Sequence, residues 1–222
     1  MLESTSQPQP RTYLPFHTKD FWENFYKNLP DNNNINWYFD LTKLQINDFS
    51  LRNLKKDDEI LILGSGISST LDYLDKNGYD KITIFDFSEE LKKILDKKYN
   101  ENWETMTCDI TTIDPYDLQI NDLFSVIIDK GCLDCILSDP DNGESKFVQA
   151  LSNILILLNN NEGVFYYFSN GKMEDRINLF YKVPKIKYKV ATIDMNEIMK
   201  EEYKEFNQSD NIYYLYTITK FE

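Results

Sequence analysis

Several kinds of chemistry are thinly represented in this chain of 222 residues. It has one histidine, His17, and three cysteines, Cys108, Cys132 and Cys135. One histidine near the N-terminus makes a serine–histidine–aspartate triad improbable. Three cysteines form no disulfide framework and fit a reducing compartment, so a cytoplasmic location is expected. Cys132 and Cys135 are spaced Cys-x-x-Cys, but a zinc site needs more ligands than Cys108 and His17 can add at their spacing. No metal is expected. Cations are also short: 24 Lys and Arg against 37 Asp and Glu give a net charge of −13. Phosphate backbones would repel such a chain, so nucleic acid is not an expected partner. A basic partner would be attracted, although the charge is equally explained by solubility. The longest apolar run, Ile154 to Leu158, falls far short of the ~20 residues of a membrane span, and the polar N-terminus does not read as a signal peptide. A soluble monomer with no membrane partner is expected.

With 41% apolar and 14% aromatic residues, the composition is globular. The proline-dotted stretch 1–19 reads as a flexible arm and 20–222 as one domain, with a helical cover over 20–55 and a core over 59–222. In the cover, Thr18 or Asp20 caps a helix over Phe21 to Asn28. Pro30 to Asn34 breaks it, and a second helix is expected over Leu41 to Leu54, with Leu41, Leu44, Phe49, Leu51 and Leu54 as its apolar marks.

From residue 59 the pattern alternates. Strands are expected at Glu59 to Leu63, Lys81 to Phe85, Trp103 to Thr107, Leu123 to Ile128 and Gly163 to Phe168. Helices fall at Ser69 to Asn77, Ser88 to Lys98 and Ser145 to Leu158. Such alternation builds a parallel sheet with helices on both faces. Two late strands, Tyr188 to Ile193 and Tyr213 to Lys220, flank a charged helical stretch over Asn196 to Phe206 and read as an antiparallel edge pair. The fold class is therefore α/β, a Rossmann-like doubly wound sheet, mostly parallel and antiparallel at its C-terminal end.

The polar residues gather where strands end. Gly64, Ser65 and Gly66 follow the first strand, where glycine lets the backbone turn sharply and approach a ligand; a ligand-free tight turn would read the same. Asp86 ends the second strand, with Phe87 next to it, 22 positions after Gly64. A carboxylate there can accept bonds from both ribose hydroxyls of a nucleoside, or cap the next helix. Asp109 follows the third strand and can take the exocyclic amine of adenine, with Ile110 against the base; alone it would pass for a loop acid. Asp129, Lys130 and Gly131 close the fourth. Dinucleotide sites want a third glycine in Gly-x-Gly-x-x-Gly, where this chain has Ser69. The reading is adenosine without phosphates, with S-adenosylmethionine the expected cofactor in preference to NAD. Methyl transfer needs alignment and exclusion of water more than a covalent catalyst. Asp129 is the single candidate for a positioning catalytic role. Trp22, Tyr26, Trp37, Tyr38 and the run Tyr166 to Phe168 could face a sulfonium or ammonium, or pack in the core.

These segments resemble the class I (seven-strand) methyltransferases, and within them the group containing the elongation-factor-1-alpha lysine methyltransferases. Phe21-Trp22-Glu23-Asn24-Phe25-Tyr26 is similar to that group's Tyr-Trp-(Asp/Glu)-x-x-(Phe/Tyr) opening, and Asn36-Trp37-Tyr38-Phe39 to its (Glu/Asp)-Trp-(Tyr/Phe) element. Ile128 to Ile136, reading IDKGCLDCI, is close to (Asp/Glu)-Lys-Gly-Thr-Leu-Asp-Ala-(Ile/Leu), with Cys132 where Thr is common. Ile67 stands where the glycine loop usually has Asn. The likeness spans about residues 20–170. It implies methyl transfer to a protein, a lysine side chain in the first instance, with a basic protein as substrate. It implies that Trp22, Tyr26 and Trp37 close over the cofactor, and that Gly64, Asp86, Asp109 and Lys130 line it. A catalytically inactive binding module and a small-molecule methyltransferase are the alternatives.

Overall fold

The computed structural model describes residues 14–30, 34–44, 46, 49–99, 101, 103–118, 123–160, 162–183, 186–195 and 213–221. Seven strands form one sheet in the order β3-β2-β1-β4-β5-β7-β6. The strands are β1 (Ile60–Leu63), β2 (Ile82–Asp86), β3 (Glu104–Thr107), β4 (Val126–Lys130), β5 (Val164–Asn170), β6 (Tyr188–Asp194) and β7 (Tyr213–Lys220). Pairing is parallel from β3 through β5. It becomes antiparallel where β7 inserts between β5 and β6.

The helices are α1 (Lys19–Lys27), α2 (Ser69–Lys76), α3 (Glu89–Lys98), α4 (Cys132–Leu137), α5 (Gly143–Leu157) and α6 (Met173–Phe180). Strand alternation sorts the core onto two faces. Ile60, Ile62, Ile84 and Ile128 pack with α1, α2 and α3 on one side. Leu61, Leu63, Phe85 and Ile127 pack with α4, α5 and α6 on the other. β1 and the Val126–Ile128 part of β4 are buried on both faces, which accounts for their unbroken apolar sequence. No helix among the described residues is long and apolar enough to cross a membrane.

The second expected cover helix does not form among the described residues. Over Leu41 to Leu54 the chain forms two short 3₁₀ turns, Leu41–Lys43 and Leu51–Asn53. Asp40 and Ser50 accept the backbone N–H groups of Thr42 and Arg52, and such local side-chain bonds favour tight turns over a continuing helix. Of the five apolar marks, Leu41, Leu44, Phe49 and Leu51 are buried and Leu54 is partly buried. Two helices had no sequence expectation, α4 and α6. The expected helix over Asn196 to Phe206 lies outside the described residues, as does stretch 1–13 of the arm.

This strand order reverses direction between β1 and β4. The chain leaves β1 towards β2 on one side and leaves β4 towards β5 on the other. Helices that follow diverge, and a crevice opens above the C-terminal ends of β1 and β4.

Candidate functional site

That crevice is a cavity of about 800 Å³, its open mouth included. Strand tips make its floor and one wall. Gly64 follows β1, Asp86 and Phe87 end β2, Asp109 and Ile110 follow β3, and Lys130 and Gly131 end β4; all line the cavity. The first of these glycines leaves no room for a larger residue. Gly64 has φ of +51°, and a Cβ there would sit 2.8 Å from the Cβ of Cys132.

Asp86 is almost wholly buried, yet it borders the cavity. Its Oδ1 accepts the Ser88 N–H at 2.9 Å. Burial pushes its pKa up to about 7, with the Glu23 charge adding to the rise. A carboxyl in that condition gains from any hydroxyl donor that enters the cavity. Asp109 is held by Thr111, whose backbone N–H and hydroxyl both donate to its Oδ1. Asn153 on α5 donates to the Ile110 carbonyl, at 2.7 Å, and so fixes the loop after β3.

The cover comes from the N-terminal segment. Phe16, Trp22, Tyr26, Trp37 and Tyr38 line the roof. Segment 14–18, expected as part of a loose arm, lies against α1: Trp22 donates its indole N–H to the Phe16 carbonyl at 2.7 Å. Phe16 and Trp22 each meet Trp37 with ring centroids under 6 Å apart. Two polar anchors tie the cover to the core. Glu23 accepts the Ser88 hydroxyl and the N–H groups of Glu89 and Glu90, capping α3 from outside that helix. Lys130 donates from Nζ to the carbonyls of Trp37 (2.6 Å) and Phe39 (3.1 Å), and burial lowers its pKa to about 8. Lys130 thus borders the cavity and clamps the strap above it.

Three expected contact residues stand back from the cavity wall. Ser65 lines a smaller neighbouring hollow beside Trp37 and Lys130. Gly66 (φ +55°) faces the Tyr26 hydroxyl. Asp129 is completely buried beneath the floor, and its two oxygens accept the N–H groups of Cys132 and Leu133 at the start of α4. Burial pushes its pKa well above the carboxylate range. The geometry places α4 through Asp129 and gives its carboxylate no exposed edge toward the cavity.

All three cysteines line the cavity. Burial raises their thiol pKa values, those of Cys108 and Cys135 to about 12, so they stay protonated and act as an apolar wall.

The site contains a polar cluster that strand-end reasoning missed. Asp134 on α4 accepts the Tyr38 hydroxyl (2.7 Å), the Ser169 hydroxyl (2.7 Å), the Asn170 N–H (2.7 Å), the Arg176 guanidinium (3.1 Å) and the Tyr167 hydroxyl. The run Asp-Lys-Gly-x-Leu-Asp held its one visible signal, a second acid one turn after the strand end.

The start of α2 is already occupied. Asn36 Oδ1 accepts both the N–H (3.1 Å) and the hydroxyl (3.0 Å) of Ser69, which takes up donors that would otherwise meet a phosphate.

No family model matches the chain. It is similar to the mouse "eEF1A lysine and N-terminal methyltransferase", 27% identical over 133 residues, 60% of this chain and 18% of that protein. It is similar to mouse "EEF1A lysine methyltransferase 4", 27% identical over 154 residues, 66% of this chain and 57% of that one. The Drosophila melanogaster homologue of the first is 32% identical over 136 residues, 60% of this chain and 19% of that protein. The chain thus spans under two thirds of the length of these relatives. Among solved structures, an S-adenosylmethionine dependent methyltransferase fold from Listeria monocytogenes superposes with a TM-score of 0.53 at 15% identity, covering 77% of this chain and 95% of that one. The plantazolicin methyltransferase BpumL in complex with SAH gives 0.50 at 14% identity, covering 73% and 76%.

Proposed function

We propose, on the premise that this chain is built as a class I methyltransferase, that it transfers a methyl group from S-adenosylmethionine to a lysine side chain of a protein. One observation carries the cofactor half of this reading. Two carboxylates, Asp86 and Asp109, stand at adjacent strand tips over an apolar cavity, while Asn36 occupies the first N–H of the neighbouring helix. Adenosine without phosphates suits that set: ribose hydroxyls at Asp86, the adenine amine at Asp109, the base against Ile110 and Phe87. The cofactor supplies an activated methyl on a sulfonium. The chain's own groups orient it, and the aromatic cover of Trp22, Tyr26 and Trp37 keeps water out. Similarity to the eEF1A methyltransferases names the first acceptor to try, and an acidic chain suits a basic target. The three free thiols suit a reducing compartment such as the cytosol.

The test has two stages. Calorimetric titration with S-adenosylmethionine is expected to give saturable binding, and tritiated cofactor is then expected to label purified eEF1A. Heat with NAD and none with the sulfonium would overturn the cofactor reading. Binding without any labelled protein would leave an inactive module or a small-molecule methyltransferase in its place.

Binding is expected to depend on pH through Asp86. With the cavity empty this carboxyl titrates at about 7, and ribose hydroxyls stabilise its ionised form. Below that pH a proton must leave on binding, so affinity falls. Between pH 6 and pH 8 the ionised fraction changes about tenfold, and so should the association constant. The raised pKa also means that Asp86 stabilises the empty protein only on the acid side, and this contribution is lost as pH rises through about 7. The shift in thermal midpoint caused by the cofactor should therefore be larger at pH 8 than at pH 6. Equal shifts would count against Asp86 as the ribose partner.

A further inference from the structure

The adenosine end of the cavity lies at the tips of β2 and β3; Tyr38 and Asp134 mark the opposite end, beside β4 and β5. Tyr38 is the one non-glycine residue with positive φ among the described residues, at +64°. Such strain persists only where surrounding contacts hold it. Here they do so from three sides. Lys130 grips the carbonyls before and after it. Its ring lies on Gly131, so closely that a Cβ there would come within 3.2 Å of Cζ and the hydroxyl oxygen. It also meets the Tyr213 ring at 5.3 Å. The hydroxyl donates to Asp134 Oδ2, while Arg176 and Ser169 engage the other carboxylate oxygen.

We infer that Tyr38 is the acceptor-binding residue of this site and receives a primary amine, with Asp134 as the positioning residue behind it. The inference rests on the methyltransferase reading above and extends it to the acceptor. A phenol has one proton, and that proton is committed to Asp134. Tyr38 lines the cavity, and its oxygen is left with acceptor capacity alone. It therefore selects a group that brings donors, of which a neutral primary amine has two and an alcohol one, and the carboxylate behind it strengthens it as an acceptor. Burial beside Asp134 raises the phenol pKa, so Tyr38 stays protonated and works as an anchor, not as a base. The same desolvation that lowers Lys130 acts on any amine entering the cavity. It favours the neutral form, which offers N–H groups to Tyr38 and keeps its lone pair free. An amide or a carboxylate lacks that combination.

The experiment uses n-butylamine, the tip of a lysine side chain, titrated at about pH 8 into the full chain saturated with S-adenosylhomocysteine, with 1-butanol as control. The affinity of each variant for S-adenosylhomocysteine is measured first. Wild type is expected to bind butylamine saturably and more tightly than butanol. Tyr38→Phe keeps the ring on Gly131 and Tyr213. It is expected to lose at least fivefold in butylamine affinity, beyond any change toward S-adenosylhomocysteine, and to lose the preference over butanol. Asp134→Asn should give a smaller loss in the same direction. No saturable amine binding by wild type, or equal binding by wild type and Tyr38→Phe, overturns the inference. A chain that takes no S-adenosylhomocysteine instead counts against the function reading, and butylamine titrated into it alone still tests Tyr38.

Discussion

Asp86→Ala is expected to weaken S-adenosylmethionine binding about 100-fold or more while leaving the fold intact. A carboxylate that accepts two hydroxyl donors makes two charge-assisted bonds, each contributing roughly 1.5–3 kcal/mol, and losing both passes 100-fold even at the lower bound. Stability should move little. The substitution removes the bond from Ser88 N–H, but it also removes a carboxyl whose burial is unfavourable. Glu23 and Ser88 still cap α3 from the side chains that remain. Asp109→Ala should cost less, on the order of tenfold, for the single charge-assisted bond to the adenine amine. Calorimetric affinities paired with thermal midpoints would check both. Unchanged affinity in the two variants would remove the basis for placing adenosine at these strand tips.

Asp86 was accessible from sequence because it follows a strand whose apolar run is unambiguous, and ligands in open α/β sheets gather at strand ends; Asp109 follows β3, whose Glu-Thr-Met-Thr sequence is polar, and only the alternation of strands and helices placed it. Ile60 to Leu63, Ile82 to Phe85 and Val126 to Ile128 need no partner to be recognised. The same local rules placed the late strands, expected at Tyr188 to Ile193 and Tyr213 to Lys220, and their antiparallel pairing. They failed where a local bond competed with periodicity. Leu41 to Leu54 carries helix-like apolar spacing, and Asp40 and Ser50 turn it into two 3₁₀ turns. They failed again where the meaning of a residue lies far along the chain. Glu23 looks like a surface acid on α1 until α3 is placed against it. Asp134 has a local motif, but Tyr38 lies 96 positions before it and Arg176 lies 42 after it. No spacing within one element points to either.

That distant assembly makes Asp134 the residue whose loss should harm the fold most. Its side chain is 9% exposed and that of Arg176 is 13% exposed. Alanine at 134 would leave the guanidinium half-enclosed with no carboxylate, and would strip a partner from Tyr38, Tyr167, Ser169 and the Asn170 N–H. Breaking a buried pair from one side costs about 3–5 kcal/mol. With a urea slope of roughly 2 kcal/mol/M, the unfolding midpoint should fall by about 1.5–2.5 M. Asp134→Asn should fall less, because an amide oxygen still accepts some of these donors without the charge. The cost should also depend on Arg176. Once Arg176 is replaced by methionine, no cation remains to be stranded, so Asp134→Ala should cost markedly less in that background, with a coupling of roughly 1–3 kcal/mol between the two sites. Additive effects would mean that Asp134 acts through its hydroxyl and backbone donors alone. The ion pair would then be incidental to the link that joins the cover, β5 and α6.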